Sequence, residues 1–111
     1  MNIKNLKRLR NEIKKAPDGE FDMMRGDAHT CGSAACIGGF AQSLIKTQHY
    51  SGVGALRELL KIHLDEAYYI YSGTWSDKDL SDITKTEALD YLDKVIKTRN
   101  VYCSGLEEAK A

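Results

Sequence analysis

The chain has 111 residues, 42% hydrophobic and 29% charged, with nine glycines and one proline, a size and composition that suit one folded domain and exclude compositional disorder. Lys+Arg and Asp+Glu each number 16, so no electrostatic excess drives the chain onto nucleic acid or anionic lipid, and partners must be selected by shape. No stretch approaches the ~20 apolar residues of a membrane span, and no apolar core of a secretory signal follows the basic N-terminus. A cytoplasmic protein is expected, with Cys31, Cys36 and Cys103 as reduced thiols rather than a disulfide framework.

From Ile3 to Ala16 the residues Ile3, Leu6, Leu9 and Ile13 share one helical face, opposite Lys4, Lys7, Arg8, Lys14 and Lys15, which predicts an amphipathic helix with a basic outer side. Pro17-Asp18-Gly19 stops it. Phe21, Met23 and Met24 allow one short strand, and Gly26–Thr30 reads as loop. The segment Cys31–Gln48 predicts a helix beginning at Cys31 and ending near Tyr50, with Ser51-Gly52 supplying a left-handed cap. Inside it, Gly38-Gly39 costs roughly 1 kcal/mol per glycine relative to alanine, so something approaches too closely there for a β-carbon. A short helix follows over Val53–Lys61, then another over Glu66–Tyr71 with Asp65 as its cap and Ser72-Gly73 as its end. Thr84-Lys85-Thr86-Glu87 is a capping box opening the last helix, whose buried stripe is Ala88, Leu89, Leu92, Val95 and Ile96. Asp90 with Lys94 and Asp93 with Lys97 are spaced for pairs on a solvated face. Residues 104–111 read as a frayed tail after a single helical domain over 1–103. The fold expected is mainly α, a small irregular bundle of about five helices with room for one short strand.

The run His29-Thr30-Cys31-Gly32-Ser33-Ala34-Ala35-Cys36-Ile37-Gly38-Gly39-Phe40-Ala41 resembles a signature of small uncharacterised phage and prophage proteins: cysteine-glycine-threonine-x-alanine-cysteine-x-alanine-glycine-x-alanine. Tyr71-Ser72-Gly73-Thr74-Trp75 is similar to that family's aromatic-serine-glycine-x-tryptophan, and Asp82–Leu92 to the threonine- and alanine-rich start of its last helix. Ser33 and Gly38 depart from the signature, replacing threonine and alanine. The resemblance implies a viral or prophage setting and assigns no catalytic or binding residue.

Cys31, placed at a predicted helix start where the macrodipole favours a thiolate, is the candidate nucleophile, with His29 as its candidate assistant. The string CGSAAC is similar to the cysteine-glycine-serine-cysteine of papain-like proteases, but the spacing and the chain length both fail that pattern. His29, Cys31, Cys36, His49 and His63 are the right residue types for zinc, yet no second C-x2-C or H-x3-H pair completes a tetrahedron, and no metal or cofactor is expected. The acids Asp77, Asp79, Asp82 and Glu87 lack the register of a calcium loop. Thr30, Cys31, Gly32 and Ser33 offer backbone amides for a small phosphate-bearing ligand, and Trp75 a ring on which a base would stack.

The reading preferred from sequence is a non-enzymatic cytoplasmic accessory protein of phage type that binds a host protein, with a role in counter-defence and a homo-oligomeric state as its extensions. It rests on short length, neutral charge, the aromatic content from Tyr68 to Trp75 and the lack of a complete catalytic set. The alternatives are a nucleotide-like ligand binder using Thr30–Ser33 and Trp75, and a thiol enzyme using Cys31.

Overall fold

The computed structural model describes residues 1–24, 35–45 and 51–103. Helix α1 (Ile3–Lys15) starts where the Asn2 side chain accepts a hydrogen bond from the Asn5 amide at 3.0 Å. Its Leu6, Leu9 and Ile13 are fully buried, each worth roughly 1.5–3 kcal/mol, so packing rather than intrinsic propensity holds it. Two polar bonds fix its first turn against the third helix: the Asn2 amide donates to the Leu60 carbonyl at 2.7 Å, and Asn5 Nδ2 to the Leu59 carbonyl at 2.9 Å.

Ala16 and Pro17 leave helical geometry, a 3-10 turn spans Asp18–Glu20, and Phe21 follows in extended conformation. The short strand allowed by the sequence reduces to one parallel bridge between Phe21 and Ala35. Among the described residues that bridge is not extended into a strand. Met23 is buried and Met24 exposed.

Helix α2 (Ile37–Ile45) starts at Ile37 rather than at Cys31, because the Ala35 backbone is committed to residues 20–22: its amide donates to the Glu20 carbonyl and its carbonyl accepts from the Asp22 amide. Helix α3 (Gly52–Leu60) corrects a second boundary. Ser51 is its N-cap, accepting from the Gly54 amide at 3.2 Å, and Gly52 is its first residue. The Ser-Gly pair therefore opens a helix instead of closing one. Helix α4 (Leu64–Tyr71) takes His63 rather than Asp65 as its cap residue, with the His63 amide donating to the Glu66 carboxylate at 3.0 Å. It ends as expected at Ser72, with Gly73 in the left-handed region at φ +71°. After a second 3-10 turn (Leu80–Asp82), α5 (Lys85–Thr98) opens on the Thr84–Glu87 capping box.

The hub is α1, which packs on α2, α3 and α5, while α2, α3 and α4 pack on one another. All five contribute to one apolar core, in which Leu6, Phe40, Leu56, Ile70, Leu92 and Val101 are among the fully enclosed side chains. Gly38 and Gly52 explain how α2 and α3 come so close. A β-carbon on Gly38 would lie 2.6 Å from the Tyr71 ring and 3.0 Å from the Gly52 Cα. The close neighbour that the glycine pair implied is thus an aromatic ring from α4 lodged beside a helix crossing. Asp93 is also redirected, forming a two-pronged bond with Arg10 of α1 at 2.8 and 3.1 Å rather than a pair with Lys97. The residues read as a loop at 26–30 and as a frayed tail at 104–111 lie outside the described ones. Among the described residues, no helix is long and apolar enough to cross a membrane.

Candidate functional site

The turn after α4 sets the position of Trp75. Gly73 reverses the chain at positive φ, the Ser76 amide donates to the Gly73 carbonyl at 3.0 Å, and Ser72 Oγ donates to the Tyr68 carbonyl at 2.6 Å. The indole then has its Nε1 within 3.0 Å of the Ile70 carbonyl, to which it donates. One indole face lies flat on the ring of Tyr91 from α5, with centroids 4.6 Å apart and planes inclined by 5°. Tyr91 is in turn anchored by its hydroxyl, which donates to the Val101 carbonyl at 2.6 Å. Burial pushes the Tyr91 phenol far above its ordinary pKa, so it remains a neutral donor over the whole physiological range.

Beside this stacked pair lies a groove of about 280 Å³ lined by Trp75, Ser76, Asp77, Glu87, Asp90, Tyr91 and Lys94. Residues 87, 90, 91 and 94 follow helical spacing, so one face of α5 supplies one wall and the turn at 75–77 the other. Glu87 is fully engaged: its carboxylate accepts from the Thr84 amide at 3.3 Å, from the Thr84 hydroxyl at 3.1 Å and from Lys78 Nζ at 2.9 Å. The Lys78 ammonium holds the Glu87 carboxyl below the usual carboxylate range. Asp77 and Asp90 are exposed and have no hydrogen bond or ion pair among the described residues. The groove is therefore acidic and aromatic, a setting that favours a cation over a phosphate.

A chain of rings leads away from the groove. Tyr91 is followed by Tyr69 at 6.4 Å and Tyr69 by Tyr102 at 4.9 Å, edge to face. Tyr102 is 39% exposed, and on α4 Leu64 and Tyr68, one turn apart, are 46% and 54% exposed. Apolar surface is thus presented on α4, next in sequence to the Tyr69 ring that leads on to Tyr102.

Of the residues singled out by sequence, Trp75 stands in this groove. His29, Thr30, Cys31, Gly32 and Ser33 lie outside the described residues, as does His49. The start of α2 itself is occupied by the protein: the Cys36 side chain sits there and is 2% exposed. Burial pushes that thiol up, and the neighbouring backbone of Cys36, Gly38 and Gly39 only partly offsets the effect. Cys36 is a packed side chain at a helix start, and Cys103 is equally enclosed. No group of three or more His, Cys, Asp or Glu side chains suited to a metal occurs among the described residues. The sequence groups Tyr91 with Trp75 among the candidate aromatic anchors but does not point to Asp77 and Asp90 as neighbours of Trp75, although Glu87, Asp90, Tyr91 and Lys94 share one helical face.

Comparison of the chain with family models, with curated proteins and with solved structures finds no match in any of the three.

Proposed function

We propose that the protein is a non-enzymatic accessory protein that acts by binding another protein, in the host-cytoplasm setting that the phage-like signature at His29–Ala41 implies. The observation that carries this reading is the run of aromatic rings from Trp75 through Tyr91 and Tyr69 to Tyr102, beside the exposed Leu64 and Tyr68 of α4. Within that run Tyr91 is buried while Trp75, Tyr69 and Tyr102 reach the surface, and rigid, partly exposed aromatic side chains next to an apolar helix face are the usual anchors of protein interfaces, because they bury large areas while losing little conformational entropy. The target is a host protein, and the same surface is available to a second copy of the chain.

The test is capture from host cells with tagged wild-type protein and with a Leu64→Glu, Tyr68→Glu double variant, alongside light scattering of both. A single protein retained in fixed ratio by wild type and lost from the variant is the expected result, as is an oligomer that the variant dissociates. Wild-type protein that stays monomeric and retains nothing overturns the reading. Both substituted residues are exposed, so the variant keeps its helical circular dichroism.

A further inference from the structure

We infer that the groove beside Trp75 receives the guanidinium of an arginine carried on a basic segment of a partner protein; this rests on the protein-binding reading above. Its size suits an anchor side chain: about 280 Å³ lies just below the ~300–1,000 Å³ typical of sites that enclose a whole small molecule. Its walls suit that particular ion. A guanidinium is a flat, weakly hydrated cation whose faces stack on aromatic rings while its edges donate to carboxylates. Trp75 supplies the ring, its partly exposed indole backed on one face by the buried Tyr91, and Asp77 and Asp90 supply carboxylates with no ion pair among the described residues.

The charge around the groove is arranged to the same end. Asp79 and Asp82, in the segment that continues from Asp77, are also exposed and also lack an ion pair among the described residues. The nearby lysines are turned to other tasks. Lys78 is bound to Glu87 at 2.9 Å. Lys85 folds back onto the carbonyls of Lys14 and Ala16 and lies 3.3 Å from Asp18. Lys94 is the one cation among the described residues that line the groove, against Asp77, Asp90 and the already paired Glu87. The chain as a whole is neutral, so this negative field is local, with Lys4, Lys7, Arg8 and Lys14 exposed elsewhere on α1. A complementary partner segment is steered to the groove by that field, and the effect weakens with added salt.

Trp75 is the sole tryptophan, so its emission reports on the groove directly. The experiment titrates the full chain with a blocked peptide of alternating glycine and arginine, with its lysine counterpart and with its glutamate counterpart, at low and at physiological salt. The expected result is a saturable change in Trp75 emission with the arginine peptide, severalfold weaker binding of the lysine peptide and none of the glutamate peptide. An Asp77→Asn, Asp90→Asn variant should raise the arginine-peptide Kd about tenfold. Both positions are exposed, so an unchanged thermal midpoint in that variant separates lost binding from lost fold. No saturable change at millimolar arginine peptide overturns the inference, and so does an unchanged Kd in the double variant. The protein-binding reading is judged apart from this: a partner captured equally by wild type and by the Asp77/Asp90 variant leaves that reading standing while the groove assignment falls.

Discussion

Substituting Gly38 with alanine tests the account of the helix crossing, because intrinsic preference and packing predict opposite signs. In an open helix interior the change stabilises by about 1 kcal/mol. Here the new β-carbon would sit 2.6 Å from Tyr71 Cδ2, 2.9 Å from Tyr71 Cε2 and 3.0 Å from the Gly52 Cα, against an ordinary carbon contact of ~3.5–4.0 Å. The Tyr71 ring must be displaced and α2 must part from α3 by a few tenths of an ångström. Forcing an extra carbon into such a site typically costs about 1–3 kcal/mol, so the net expectation is a loss of roughly 1 kcal/mol. The double-mutant cycle with Tyr71→Ala isolates the cause: without the ring, the penalty of Gly38→Ala should shrink by about 1–2 kcal/mol, leaving the tight approach to Gly52 as the residual. Urea unfolding followed by far-UV circular dichroism supplies the four stabilities. A Gly38→Ala protein that gains about 1 kcal/mol, or a cycle with no coupling, would refute the argument.

Three further outcomes follow from other contacts. Lys85→Met removes a mostly buried ammonium that caps the carbonyls of Lys14 and Ala16 at the C-terminal end of α1; it should lower stability by about 1–2 kcal/mol, read as a fall in the urea midpoint. Tyr91→Phe leaves the buried Val101 carbonyl without its 2.6 Å partner and should cost about 1–2 kcal/mol. Because burial raises the Tyr91 phenol in the folded state, its contribution is intact below the unfolded pKa of ~10 and is lost as pH climbs above it, by up to ~1.4 kcal/mol per pH unit. A stability profile from pH 8 to about 11 should therefore fall less steeply in Tyr91→Phe than in wild type, and parallel profiles would disprove the link. Finally, Cys36 and Cys103 are enclosed, so iodoacetamide applied to native protein should spare both until denaturant is added, as peptide mapping by mass spectrometry would reveal.

What was legible in the sequence is what local chemistry decides. The Thr84–Glu87 capping box reads directly because both its bonds lie within three residues, and the Leu6, Leu9, Ile13 stripe reads because helical spacing alone puts those side chains together. Gly73 reads because a turn at positive φ suits glycine. Boundaries failed where two local rules competed. Ser51-Gly52 is as good an N-cap pair as a C-terminal stop, and only the seating of Tyr71 against Gly52 decides between them. Helices α3 and α5 end on Lys61 and Arg99 in the left-handed region, a conformation that neither residue advertises and that packing imposes. Gly38 did signal a close approach, but the identity of the intruder depended on a residue in another helix.

The groove was hidden for a related reason: each of its residues has a sufficient local explanation. Glu87 belongs to a capping box, Asp90 by its spacing to an expected surface pair with Lys94, Asp77 to a solvated turn, and Tyr91 to the apolar side of a helix. Assigning each to its own explanation leaves no residue over to suggest a site. What assembles them is the Ile70 carbonyl holding the Trp75 indole, so that the ring falls on Tyr91 sixteen positions later in the chain. The charge pattern is concealed in the same way, since equal totals of acid and base say nothing about where each is used. Arg10 reaches across 83 positions to Asp93, and Lys85 reaches back across 69 to the Ala16 carbonyl. These two bonds hold α5 to α1 and take two bases, Arg10 and Lys85, and one acid, Asp93, out of the surface field. Asp77 and Asp90 are left in the groove beside Trp75, with Asp79 and Asp82 exposed in the segment that follows Asp77, a distribution that arises only once α1 and α5 are packed together.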